Sequence, residues 1–227
     1  MWRRSARCVA CGASREVKMF RDRKDAGARL ATALEKYRGQ DVVVLAIARG
    51  GVEVAAVVAH HIGAELGLLI ARKLGHPNNP EAAFGAIAED GSIYYNRFAR
   101  SDIPVDTIRA VIENERREIK RRIRLYRDGR SLPVIRNRTV IIIDDGIATG
   151  ATLYAAIMLC RKQRAKRIVV AVPVAPASIV REMRMGVDEM IVLEEPLHFY
   201  AVSQGYHEFF DLTDEEVVHL LHESMPL

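Results

Sequence analysis

The chain has 227 residues, 49% of them hydrophobic, with 34 Lys+Arg against 29 Asp+Glu and a formal net charge of +5. That length fits one α/β domain with attached loops, or a domain plus a small cap, and the apolar share suffices for a full core. No apolar run reaches the roughly 18 residues that span a bilayer, and no apolar signal core follows the basic start Met1-Trp2-Arg3-Arg4, so a cytoplasmic protein with no membrane association is expected. The positive balance welcomes anionic ligands but does not choose between phosphates and nucleic acid.

Residues 1–18 read as an irregular N-terminal extension, and core-like patterning begins only after Phe20, so residues 19–227 form the domain. Cys8 and Cys11 make a C-x-x-C, but the second ligand pair that zinc needs does not appear at a matching spacing. A helical pattern spans residues 25–37, with Leu30, Ala33 and Leu34 on one face. Residues 42–47, Val-Val-Val-Leu-Ala-Ile, are a continuous apolar run suited to a strand covered on both faces, as in a parallel sheet. A glycine turn at Arg49-Gly50-Gly51 leads into a helix ending near Ile62, and residues 66–71 read as the next strand. Residues 72–91 are expected to be a long loop, which in a compact domain points to function or disorder. A short strand at 92–95 follows, and then an amphipathic helix over 104–126 with Val105, Ile108, Ile112, Ile119 and Ile123 as its apolar stripe.

The remaining pattern alternates. Strands are expected at 139–143, 167–172 and 190–193, and helices from near Thr149, over 177–185 and over 213–221. Thr213 and Glu216 form a capping box for the last helix. Cys160 lies within a helical pattern as a buried small apolar residue. Alternating strands and helices predict a doubly wound parallel sheet, with ligands at the carboxyl ends of the strands.

Ile143-Asp144-Asp145-Gly146-Ile147-Ala148-Thr149-Gly150-Ala151-Thr152 carries the chemistry. A buried strand ends in two adjacent carboxylates, expected at a solvent-facing strand end, and Gly146 permits the turn that brings both to one ligand. Residues 148–152 open a helix whose free N–H groups make an anion site, with Gly150 allowing close approach and the Thr149 and Thr152 hydroxyls adding donors. Two acceptors beside a phosphate cradle suit a sugar phosphate. The pattern is neither a Walker loop nor G-x-G-x-x-G.

Residues 141–152 resemble the 5-phosphoribosyl-1-diphosphate (PRPP) signature of type I phosphoribosyltransferases, and residues from about Met19 onward resemble a subgroup of predicted members. The resemblance implies that Asp144 and Asp145 hold the ribose hydroxyls and, directly or through water, Mg²⁺, and that Ala148, Thr149, Gly150, Ala151 and Thr152 hold the 5′-phosphate. It further implies that Arg49, Gly50 and Gly51 bind diphosphate, that Arg72 and Lys73 bring positive charge to it, and that residues 74–91 match the family's mobile flap. A homodimer using PRPP and a small nitrogenous acceptor is the implied state, with Mg²⁺ as cofactor.

Enzymes acting on 6-oxopurines carry an acid where this chain has Ala148 and a lysine where it has residues 172–175, Val-Pro-Val-Ala, so hypoxanthine and guanine are not expected as good acceptors. Phe199 and Tyr200 are the candidate acceptor contacts; Phe199 reads equally well as a core aromatic. Arg116, Arg117, Lys120, Arg121, Arg122, Arg124 and Arg127 crowd one helix, with Glu113, Glu115 and Glu118 one turn away as partners. A solvated face accounts for these charges more simply than a nucleic-acid surface. Three functions stay open: a phosphoribosyltransferase, a catalytically weak sensor of PRPP or nucleotides that binds nucleic acid, and hydrolysis or transfer on another phosphoribosyl compound.

Overall fold

The computed structural model describes residues 20–76, 79–96 and 103–224. A five-stranded parallel sheet has the order β2-β1-β6-β7-β8, built from β1 (Val42–Ile47), β2 (Glu65–Leu69), β6 (Thr139–Ile143), β7 (Arg167–Val174) and β8 (Glu189–Glu194). All six residues of β1 are buried, as the unbroken apolar run requires. Alternate residues of each strand feed opposite faces. Val44, Ile141, Ile143 and Val169 pack with α1 (Arg23–Ala33) and α2 (Gly51–Ile62), whereas Leu45, Val140, Ile142 and Val170 pack with α4 (Ala151–Lys162) and α5 (Ala177–Arg184). This is the doubly wound architecture, with helices on both faces.

The expected helix over 25–37 is α1 followed by a 3₁₀ turn at Glu35–Tyr37, and Asp22 caps it by accepting from the Asp25 amide. In α3 (Val105–Arg127), Ile108, Ile112 and Ile119 are buried, while Val105 stays 60% exposed. The final helix, α6 (Asp214–Ser224), opens with the expected box: the Thr213 amide donates to Glu216 at 2.7 Å and the Glu216 amide to Thr213 Oγ1 at 3.2 Å. Cys160 is buried, and burial pushes its thiol up to about 12. No helix among the described residues is long and apolar enough to cross a membrane.

The long loop expected at 72–91 is instead regular structure. The chain leaves the parallel sheet at Ile70 and builds an antiparallel sheet from β3 (Ala71–His76), β4 (Asn79–Ala88) and β5 (Ile93–Tyr95). Residues 77 and 78 lie outside the described residues. Alanine and glycine dominate 82–88 and carry little strand propensity by themselves, but tertiary packing overrides propensity. Phe84 and Ile87 pack into one core and Ala86 and Ala88 into the other. Gly85 is required by the pairing, because a Cβ there would sit 2.2 Å from the Tyr94 carbonyl oxygen. α3 packs on this sheet. The extension 1–18, with Cys8 and Cys11, lies outside the described residues.

Candidate active site

Two strand-to-helix turns lie side by side at the carboxyl edge of the parallel sheet, because β1 and β6 are hydrogen-bonded neighbours. The β1 turn runs Ala48-Arg49-Gly50-Gly51 into α2, with a cis peptide bond between Ala48 and Arg49. The β6 turn runs from Asp144 to Gly150 into α4. Gly150 adopts φ +75° at the helix start, a conformation that favours glycine. Among the described residues, no backbone amide of residues 148–152 donates to a protein acceptor. The two turns touch: a Cβ on Gly51 would lie 2.8 Å from the Ile143 carbonyl oxygen and 3.1 Å from Asp144 Oδ1. Two helix N-termini, each with free amides and a positive dipole end, therefore flank one carboxylate.

The two acids occupy different environments. Asp144 is partly exposed at the strand end, and its Oδ1 accepts from the Asp145 amide at 3.0 Å. Burial and the neighbouring Asp145 charge hold its carboxyl well above the usual carboxylate range, while Lys73 and Arg23 pull the other way. Asp145 is 9% exposed, which corrects the expectation of a solvent-facing position for both. Its Oδ2 accepts from Arg23 Nε at 2.8 Å, and its main-chain carbonyl accepts from the Tyr206 hydroxyl at 2.5 Å. Burial raises its carboxyl too, against the opposing pull of Arg23. The physical reason is the pleat: successive strand residues point to opposite faces, so one acid faces the cleft edge and the next faces α1.

The other expected site residues divide in the same way. Arg72 and Lys73 alternate along β3. Arg72 Nε donates to Glu115 of α3 at 2.7 Å, whereas the charge of Lys73 reaches Asp144. Arg49 Nη1 lies 3.9 Å from Asp214 Oδ1 at the start of α6, beside Tyr126 and Arg121, which both donate to Asp214. Thr149 is exposed, and Ala148 is partly so. Phe199 packs beside Phe20, Ala26, Val174 and Tyr206, while Tyr200 is 80% exposed. On α3, Arg116, Arg121, Arg122 and Arg127 each have a carboxylate partner, in Glu113, Glu118, Glu118 and Glu89.

Arg23 and Tyr206 escape a reading of motifs. Arg23 sits in the charged run Arg21-Asp22-Arg23-Lys24-Asp25, which looks like surface. A signal was nonetheless present: Arg23, Ala26, Gly27 and Leu30 are spaced as one helical face, so a cation stands in an otherwise apolar stripe.

Two helix starts thus lie at neighbouring strand ends with an acidic pair between them. The chain belongs to the phosphoribosyl transferase domain family, which it matches over residues 16–208. Proteins of two Mycobacterium tuberculosis strains, CDC 1551 and H37Rv, each bearing the name "Putative phosphoribosyl transferase", are 43% identical over 207 residues. The match takes in 90% of this chain and 47% of theirs, so the chain spans about half the length of those curated relatives. Among solved structures, TT1426 from Thermus thermophilus is similar at 37% identity and a TM-score of 0.76, over 92% of this chain and 100% of that one.

Proposed function

We propose that this domain binds PRPP and transfers its 5-phosphoribosyl group to a nitrogenous acceptor with release of diphosphate. The observation that carries the reading is the contact between the two turns, with Gly51 packed against Asp144. It brings two helix-start turns together beside one carboxylate, which supports a ligand with an anionic group on each side of a sugar. The amides of 148–152 and the Thr149 and Thr152 hydroxyls take the 5′-phosphate, the Arg49-Gly50-Gly51 turn takes the diphosphate, and Asp144 accepts from ribose hydroxyls.

In the transfer, the bond from ribose C1 to the diphosphate oxygen breaks, a bond from C1 to the acceptor nitrogen forms, and the acceptor loses a proton. Arg49 and Lys73 stabilise the charge that develops on the departing diphosphate. Mg²⁺ fits the donor set, because it binds through one or two carboxylates plus substrate phosphates, and of the acidic pair Asp145 is taken by Arg23 while Asp144 has no ion-pair partner among the described residues. When bound, Mg²⁺ would supply charge neutralisation at the diphosphate. In this reading the β3–β4 segment, which carries Lys73, takes the part of the flap, whose closing would exclude water.

Calorimetry with PRPP and Mg²⁺ tests the binding. Asp144→Asn loses charge-assisted hydrogen bonds worth about 1.5–3 kcal/mol, roughly 10- to 150-fold in Kd. The fold survives, because Asp144 is partly exposed and an amide oxygen can still accept from the Asp145 amide. Unchanged affinity would overturn the assignment. A panel of bases followed by mass spectrometry, watching for diphosphate and a new phosphoribosyl adduct, identifies the acceptor; rapid turnover of hypoxanthine or guanine would contradict the reading of Ala148 and residues 172–175.

A further inference from the structure

Arg23 lies beneath the acidic pair, outside the cleft, and is 5% exposed. Its guanidinium engages on three sides. Nε donates to Asp145 Oδ2 at 2.8 Å, Nη1 donates to the Phe210 carbonyl at 2.7 Å, and the plane lies over the Phe209 ring, 4.0 Å from its centroid. The main chain beside it is fixed as well. The Phe20 amide donates to the Gly205 carbonyl, and the amides of His207 and Glu208 donate to the carbonyls of Phe20 and Arg21. The start of the described chain and the segment 205–210 thus meet under the strand end of β6.

This cluster is connected to the cleft through one peptide unit. Arg23 fixes the side chain of Asp145, and Tyr206 fixes its carbonyl at 2.5 Å. The main-chain amide of Asp145 donates to Asp144 Oδ1. The position of the Asp144 carboxylate is therefore set from below. The diphosphate turn rests on the same clamp: a Cβ on Gly50 would lie 1.9 Å from Asp145 Oδ2 and 3.2 Å from Arg23 Nε.

We propose that Arg23, with Tyr206 as its second support, is a positioning residue that aims Asp144 at the ribose through Asp145 and makes the segment 205–210 part of the sugar site. The inference rests on the phosphoribosyl reading of the cleft. A consequence is a division of labour within the pair, in which Asp144 meets the ligand and Asp145 holds Asp144. Lysine is not equivalent to arginine here, because a single ammonium cannot stack on Phe209 while donating to two diverging acceptors.

The test compares two probes by NMR titration. Followed by NMR at the 148–152 amides, so that binding in the Arg49-Gly50-Gly51 turn is not counted, inorganic phosphate samples that cradle alone, whereas ribose 5-phosphate samples the cradle and the carboxylate together. Arg23→Lys and Arg23→Gln should weaken ribose 5-phosphate by roughly 10- to 100-fold, since a misplacement of about 1 Å can cost about 100-fold. Affinity for phosphate should stay within about twofold, as the cradle does not contact Arg23. Tyr206→Phe, which keeps the ring and loses one hydroxyl, should show the same selective loss at smaller size. Equal loss of both probes, or loss of neither in a folded variant, overturns the proposal. If the Arg23 variants fail to fold, Tyr206→Phe decides by the same pair of ratios. Failure of the underlying reading looks different: the unaltered protein would then bind ribose 5-phosphate no more tightly than phosphate.

Discussion

Two buried ion pairs hold distant parts of this molecule together, and they are built differently. Arg23–Asp145 joins α1 to the end of β6, with side chains 6% and 12% exposed. Arg127–Glu89 joins the end of α3 to the turn after β4, with side chains 6% and 7% exposed. Arg127 also donates to the Leu68 carbonyl on β2, so it is the joint between the two sheets. The Arg23 guanidinium is engaged by a carboxylate, a carbonyl and an aromatic ring. Arg127 leaves its Nε buried without a partner, and burial pushes Glu89 up to about 7. Burying a charge pair costs more desolvation than it recovers unless geometry and further hydrogen bonds are good. The pair under the candidate active site meets that condition and the peripheral pair meets it only in part. The contrast teaches that the first pair serves the geometry of the acidic pair more than it serves stability.

Three measurements sharpen or break the contrast. The largest effect is expected at Asp145. Asp145→Asn leaves an acceptor oxygen but removes the counter-charge of a guanidinium that cannot shed its proton, and loss of one charge of a buried pair costs up to about 3–5 kcal/mol. Urea denaturation should show that loss, and a value below about 1 kcal/mol would mean that Arg23 finds water or another acceptor.

Next comes the pH dependence set by Glu89. Its folded pKa of about 7 lies above the ordinary value of 4.5. The native state therefore holds the proton more tightly, and the contribution to stability is fully present below about 4.5 and lost as pH rises through 7. Glu89→Gln cannot titrate, so the stability of the unaltered protein relative to this variant should fall by about 3 kcal/mol between those limits. A flat difference would show that Arg127 keeps Glu89 ionised throughout.

The smallest effect is expected for Arg127→Met. The stranded partner is a carboxylate that neutralises by taking up a proton, so the cost should be about 1–3 kcal/mol, comparable to one buried unsatisfied group, and should grow above pH 7. A loss as large as that of Asp145→Asn would erase the distinction between the pairs.

The sequence by itself determined the parallel sheet and the position of the candidate site. Continuous apolar runs at 42–47 and 139–143 report strands covered on both faces, and the glycine turns after them mark where two helices begin. These are local signals, each carried by a short stretch of chain. Tertiary structure alone decided the antiparallel sheet at 71–95, because its alanines and glycines become strand only by pairing with Ile93–Tyr95 and packing between two cores. It also decided which acid faces the cleft. Asp144 and Asp145 are equivalent in sequence; what separates them is a guanidinium 122 residues away, brought beneath the sheet when α1 packs, and a buried carboxylate goes to the cation it can reach.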